Sequence, residues 1–169
     1  MAITVGIITV SDRSYRGERD DASGPVIERW AQAKGYQVVE KIIVPDERHM
    51  IAEALVRLSE ANIELILTTG GTGFAPRDVT PEATRSVIER EAPGFAELMR
   101  LRSLSVTPMA VLSRAVAGTR KRSLIINLPG SPRAVAENLS FIEEALPHAI
   151  ELLRGEVHDC GREAGEVMP

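Results

Sequence analysis

The stretch that most constrains this chain is Ile63-Glu64-Leu65-Ile66-Leu67-Thr68-Thr69-Gly70-Gly71-Thr72-Gly73-Phe74-Ala75-Pro76-Arg77-Asp78-Val79-Thr80-Pro81-Glu82. Its opening, residues 63–67, is mostly apolar and β-branched, the pattern of a buried strand. Gly70, Gly71 and Gly73 follow closely, then a polar loop, then Thr80-Pro81-Glu82. Thr80 suits an N-cap, Pro81 the first helical position, and Glu82 the positive end of a helix dipole. Strand, glycine loop, charged loop and helix start succeed one another, and in an open α/β sheet that is where ligands bind.

The chemistry of this loop points to an anion. Glycine lets a ligand approach bare N–H groups, Thr69 and Thr72 add hydroxyls, and a helix N-terminus favours phosphate. No Lys-Ser/Thr follows the glycines, so this is not a Walker A loop, and the spacing is not the dinucleotide G-x-G-x-x-G. A tight turn without a ligand would account for the glycines alone. Arg77, Asp78 and Thr80 shift the balance to a binding site.

A chain of 169 residues with 44% apolar and 26% charged residues fits one soluble domain with a sizeable core. The formal net charge is −4 and the basic residues form no long run, which disfavours nucleic acid as a partner. No apolar stretch is long enough to span a membrane and no signal core is present, so no membrane role and a cytoplasmic location are expected. The one cysteine, Cys160, excludes an internal disulfide framework.

Along the chain, Ile3 to Val10 reads as a central strand ending in Ser11-Asp12-Arg13. Ser14 to Gly24 is polar and reads as a mobile surface connection. Pro25 opens a helix through Ile27 and Trp30, stopped by Gly35, with Trp30 in the core. Tyr36 to Val44 is the next strand, and Asp46 is placed to cap a helix from Met50 to Ala61. Pro81 to Glu91 and Phe95 to Leu104 read as helices; Leu98, Met99, Leu101 and Leu104 offer apolar surface to the core or to a second subunit. Residues 115–118 and 123–128 read as a hairpin joined through the basic turn Thr119-Arg120-Lys121-Arg122. Asn127-Leu128-Pro129-Gly130-Ser131-Pro132 is a second strand–turn–helix junction, with Ser131 as cap and Pro132 opening a helix that Pro147 breaks or kinks. Gly155 ends regular structure and residues 156–169 form a peripheral tail, where the adjacent His158, Asp159 and Cys160 lack metal-site spacing.

Strands and helices therefore alternate, predicting a three-layer α/β/α sandwich with a mostly parallel sheet and an antiparallel hairpin. Five junctions converge on one edge: Ser11-Asp12-Arg13, Asp46, the glycine loop, Ser113-Arg114 and the Pro129 turn. Phosphate-binding loops beside carboxylates suggest phosphoryl or nucleotidyl transfer, which is mostly positioning plus charge stabilisation. Asp46 and Asp78 suit Mg²⁺, which takes one or two carboxylates plus substrate phosphates, while Arg13, Arg77 and Arg114 suit anions. No nucleophile–base pair is evident, so covalent catalysis is not expected.

Thr69-Gly70-Gly71-Thr72-Gly73, Arg77-Asp78-Val79-Thr80-Pro81-Glu82-Ala83-Thr84 and Asn127-Leu128-Pro129-Gly130-Ser131-Pro132 resemble the molybdopterin-binding MogA/MoaB family, which includes the G domain of gephyrin. The resemblance runs from Val5 to about Gly155. It implies a homotrimeric enzyme that binds molybdopterin and Mg-ATP, adenylylates the pterin's terminal phosphate, releases pyrophosphate and hands its product to a molybdenum insertase. It also implies that Asp46 and Asp78 act in catalysis and that the glycine loop and the turn from Pro129 to Pro132 bind nucleotide and pterin. A MoaB-type paralogue that binds without transferring, or a trimeric scaffold module, would carry the same motifs.

Overall fold

The structure is a computed structural model and describes residues 1–156. The tail from residue 157 on, with His158, Asp159 and Cys160, lies outside the described residues.

The chain runs β1 (Thr4–Val10), α1 (Asp12–Tyr15), α2 (Gly24–Ala33), β2 (Gln37–Val44), α3 (Arg48–Glu60), β3 (Leu65–Thr69), α4 (Thr80–Val87) and β4 (Arg90–Glu91). It continues through α5 (Pro93–Leu104), a 3₁₀ turn (Pro108–Leu112), β5 (Ala117–Arg120), β6 (Ser123–Leu128), α6 (Pro132–Ile142) and α7 (Leu146–Arg154). One six-stranded sheet is ordered β2-β1-β3-β6-β5-β4. β2, β1, β3 and β6 are parallel, and β5 runs antiparallel to both β6 and β4.

Alternation along the central strands builds the layers. Val5, Ile7, Leu65, Leu67, Leu124 and Ile126 face one core with Ile27 and Ala31 of α2, Val135 and Leu139 of α6 and Ile150 of α7. Their neighbours Ile8, Val10, Ile66 and Ile125 face the other core, with Ile51, Leu55 and Leu58 of α3 and Ala83 and Val87 of α4. Successive strand residues point to opposite faces, so near-continuous apolar strands bury both. The three-layer sandwich with its antiparallel hairpin is as the sequence predicts.

Connectivity then places a crevice. From β1 the chain crosses to β2 on one side through α2, and from β2 it returns past β1 to β3 through α3 on the opposite face. The loops leaving β1 and β3 therefore diverge, which creates the switch point at the carboxyl ends of a doubly wound sheet.

Several local expectations are corrected. The helix from Pro81 ends at Val87, not Glu91: Ile88 is extended (φ −69°, ψ 144°), and Arg90–Glu91 become an edge strand. The free edge of β5 explains this, because Glu89 N donates to Thr119 O (2.8 Å) and Ala92 N to Ala117 O (2.9 Å). The basic turn shrinks to Lys121-Arg122, since Thr119 and Arg120 belong to β5. The break near Pro147 falls earlier, at residues 143–145, and Pro147 is the second residue of α7, where its missing N–H costs nothing. Asp46 does not cap α3, which starts at Arg48 with Glu47 in the cap position. Ser131 does cap α6, accepting from Ala134 N at 3.1 Å.

Candidate functional site

At the switch point lies an open cleft of about 890 Å³. It is lined from β1 and its loop by Ser11, Asp12 and Arg13, from the end of β2 by Asp46, from the glycine loop by Thr69, Gly70, Gly71 and Asp78, and from the β6 turn by Gly130, Ser131 and Pro132. Four of the five predicted junctions thus meet.

The glycines bring backbone, rather than side chains, to the floor. Gly70 (φ 97°) and Gly71 (φ 67°) occupy the left-handed region that L side chains rarely adopt. A Cβ on Gly70 would stand 2.3 Å from Val10 O, and one on Gly71 would stand 2.4 Å from Thr80 Oγ1. Thr80 lies under the loop and donates its hydroxyl to Gly70 O at 2.9 Å; it is not the helix cap the sequence suggests, since Val79 holds that position. Behind it, fully buried Asn127 donates to Thr68 Oγ1 (3.0 Å) and Thr84 Oγ1 (2.9 Å), joining α4 to the sheet. Thr69 lines the cleft, but its hydroxyl donates to Pro129 O at 2.6 Å and so braces the two turns against each other.

The acidic centre is a reciprocal pair. Asp12 N donates to Asp46 Oδ2 at 2.8 Å, and Asp46 N donates to Asp12 Oδ1 at 3.0 Å. Burial pushes the Asp46 carboxyl above its ordinary value, and the nearby charges of Asp12 and Asp78 add to that; the Asp12 N–H bond opposes it. The Asp12 carboxyl is held low by its hydrogen bonds from Arg77. Arg77 donates to Asp12 at 2.7 and 3.0 Å and to Glu47 at 2.8 Å, and these bonds raise its own pKa. Arg77 is therefore committed to carboxylates at the rim and does not line the cleft, contrary to a role as a free anion ligand.

Asp78 enters the cleft from the loop, with Oδ2 accepting from Ala75 N at 3.0 Å. Asp46 Oδ1 lies 3.3 Å from where a Gly71 Cβ would stand, so that oxygen faces the bare loop. Among the described residues no cluster of three His, Cys, Asp or Glu forms a metal site.

Other predicted residues sit apart. Thr72, Gly73, Ser113 and Pro129 line a second cavity of about 270 Å³ behind the loop. Arg114 and Glu82 line neither cavity. Arg114 donates from Nε to Gly73 O (2.7 Å), from Nη2 to Asp78 O (2.8 Å) and from Nη1 to Glu82 Oε1. Burial raises the Glu82 carboxyl, but the bond from Arg114 and its charge outweigh this and leave it low.

Residues the motif reading passed over also line the cleft: Thr9, Arg19, Asp21 and Ser23. The polar segment after Ser14 is not a loose surface connection. Asp21 accepts from Thr9 Oγ1 (2.8 Å), Ser23 N (3.1 Å) and Gly24 N (3.0 Å), while Ser23 Oγ donates to Gly130 O at 2.6 Å. The available signal was Asp-Ala-Ser-Gly, an aspartate two and three residues before N–H groups at a helix start. Arg13 and Arg19 make no ion pair among the described residues, so they are the free cations of the cleft lining.

The family described as "Probable molybdopterin binding domain" matches residues 6–148. The chain belongs to that family. Among relatives of this molybdopterin-binding family, a molybdopterin adenylyltransferase of Helicobacter pylori strain J99 is 43% identical, covering 90% of this chain and 89% of that protein. A molybdopterin adenylyltransferase of Escherichia coli K12 is 40% identical, covering 90% and 86%. The solved structure of the molybdopterin biosynthesis enzyme MoaB from Thermus thermophilus is 51% identical, with a TM-score of 0.85 over 90% of this chain and 97% of that one. The family's matched span contains every lining residue of the cleft.

Proposed function

We propose that this protein is a molybdopterin adenylyltransferase of molybdenum cofactor biosynthesis. The observation that carries this reading is the pairing, across one cleft, of a bare glycine floor with the Asp46 and Asp78 carboxylates. A triphosphate laid on Gly70 and Gly71 meets bare backbone at those two residues. The terminal phosphate of molybdopterin attacks the α-phosphorus of ATP, the bond to the β-phosphate breaks, and pyrophosphate leaves. Two relatives, 43% and 40% identical, bear this activity in their names and support the assignment.

The residues fit a divalent cation. Asp46 Oδ2 is taken by Asp12 N–H and Oδ1 faces Gly71, while Asp78 brings a second carboxylate to the same cleft. Asp46 and Asp78 would hold such an ion, since Mg²⁺ is usually bound through one or two carboxylates together with substrate phosphates. When bound, Mg²⁺ supplies positive charge to phosphate oxygens that gain negative charge as pyrophosphate departs. The Asp12–Asp46 bonds and the Arg77 clamp hold Asp46 in place for this, and Arg13 and Arg19 offer charge to the anionic substrates.

The assembly we infer is a homotrimer, supported by exposed Leu101 and Leu104 on α5, Val106 in the link after it, and Met109 and Val111 on the 3₁₀ turn. Its product would pass to a molybdenum insertase, and its use of ATP is in keeping with a cytoplasmic enzyme. Among the described residues no helix is long and apolar enough to cross a membrane.

A second reading is a MoaB-type paralogue that binds molybdopterin without transferring the nucleotide; the Thermus MoaB structure, 51% identical, is named for molybdopterin biosynthesis and not for a transferase. Incubation with molybdopterin, ATP and Mg²⁺ separates the two. Stoichiometric pyrophosphate and adenylylated pterin are expected; molybdopterin binding without pyrophosphate would support the second reading instead.

A further inference from the structure

Arg114 attracts attention in the sequence as a cation for substrate phosphates. Its surroundings say otherwise. The guanidinium lines neither cavity, and its three nitrogens are each engaged: Nε with Gly73 O, Nη2 with Asp78 O and Nη1 with Glu82 Oε1. Its backbone N–H donates to Thr72 O at 2.9 Å. One residue therefore grips both ends of the 73–78 loop and the first turn of α4. Arg114 is itself braced from α5, since Arg100 Nη1 donates to Ala115 O at 2.9 Å and to Ser113 O at 3.4 Å, on either side of it.

Within the loop, Asp78 N donates to Ala75 O (2.9 Å) and Ala75 N to Asp78 Oδ2 (3.0 Å). These bonds fix the short turn on itself. They do not fix where the turn sits relative to Asp46. Arg77 holds the middle of the turn to Asp12 and Glu47, and the Arg114 fork holds both of its ends; a planar fork of donors is what three acceptors in different directions require.

We propose that Arg114 is a positioning residue for the transfer reaction. It sets the 73–78 loop so that the Asp78 carboxylate stands in the cleft opposite Asp46, and it does not ligate substrate. This rests on the adenylyl-transfer reading of the cleft, but the geometric part stands apart from it.

Two variants test the idea, Arg114→Lys and Glu82→Gln. Lysine keeps the charge and loses the fork; glutamine keeps an acceptor for Nη1 and loses the charge. Circular dichroism and melting establish that each is folded. In Arg114→Lys, kcat should fall ~100-fold, the scale of a reacting group displaced by about 1 Å, while KM for ATP stays within about threefold of wild type. Hydrogen exchange at the Ala75 and Asp78 amides should speed up by ~10-fold or more while that of β1 and β3 is unchanged, as expected for local opening. Mn²⁺ binding in the presence of ATP, followed by electron paramagnetic resonance, should weaken in parallel. Glu82→Gln should show the same pattern to a smaller degree, with kcat lowered and KM retained, and it serves alone if the lysine variant does not fold. A raised KM for ATP or molybdopterin with kcat and loop exchange unchanged would make Arg114 a substrate ligand and overturn the proposal. If the wild-type protein makes no pyrophosphate, the transferase reading fails; the exchange and Mn²⁺ measurements then still decide whether Arg114 sets the loop.

Discussion

Replacing Gly71 by alanine probes the floor of the cleft where the structure is most exacting. The new Cβ would stand 2.4 Å from Thr80 Oγ1, and the backbone there has φ 67°. Left-handed geometry costs an L residue ~1–2 kcal/mol. Thr80 must also turn away, which forfeits its 2.9 Å bond to Gly70 O, a loss of ~1 kcal/mol for a neutral hydrogen bond. Against this, alanine lowers the entropy of the unfolded chain, a gain of ~0.5 kcal/mol. The net expectation is a destabilisation of roughly 2 kcal/mol, or a Tm about 4–8 °C lower for a domain of this size. Thr80→Ala removes both the clash and the bond in advance. In that background Gly71→Ala should cost only the strain less the entropy gain, roughly 1 kcal/mol, so the two substitutions should couple by about 1 kcal/mol. Urea unfolding of the four proteins, with m-values compared to check for two-state behaviour, measures the cycle. Equal costs of Gly71→Ala in both backgrounds would show that Thr80 does not sit beneath the loop as described.

Three further outcomes are expected. Asp46→Asn keeps the bond from Asp12 N–H and removes the charge, so turnover should fall at least ~100-fold, the scale of one strong electrostatic contact. The folded Asp46 pKa is raised above 3.8, so its ionisation destabilises the fold as pH rises through that value; the asparagine variant should melt no lower than wild type at pH 7, and an early-melting, fully active variant would contradict its placement. Glu64 receives Arg154 at 2.6 and 3.0 Å and Thr4 N at 3.0 Å, and its pKa is lowered chiefly by Arg154. Its contribution is then present above the unfolded pKa near 4.5 and lost as pH falls through the lower folded value, so Glu64→Gln should cost about 2 kcal/mol at pH 7 and almost nothing at pH 2 by denaturant titration. Leu101→Glu with Leu104→Glu, on side chains 68% and 46% exposed in the monomer, should convert a trimer to monomers in sedimentation; an unchanged trimer would place the interface elsewhere.

Fold and site were not equally legible in the sequence. Continuous apolar runs in β1, β3 and β6 and the punctuation Pro25, Thr80-Pro81 and Ser131-Pro132 mark elements through local chemistry, and those elements begin within a residue or two of where they are expected. The crevice follows too, because its lining comes from strand ends. What escaped was set by partners distant in sequence. Arg90–Glu91 are a strand only because β5 leaves an edge open beside them. Asp46 looks like a helix cap until Asp12, 34 residues earlier, is folded against it. Arg77 and Arg114 read as anion ligands because arginine suits phosphate, yet their nearest acceptors prove to be Asp12, Glu47 and Glu82 and the carbonyls of the loop. Charge type is visible in a sequence; which opposite charge reaches it first is a property of the fold.

The most direct test of the central claim follows the phosphorus atoms of ATP. With folded wild-type protein, molybdopterin and Mg²⁺, label on the α-phosphate should appear on the pterin while label on the β- and γ-phosphates leaves as pyrophosphate, in equal amounts. Asp78→Asn should slow both appearances together by at least ~100-fold without abolishing molybdopterin binding. Label that stays with ATP in the wild type while molybdopterin binds tightly, or that transfers as fast in Asp78→Asn, would contradict adenylyl transfer at this pair of carboxylates.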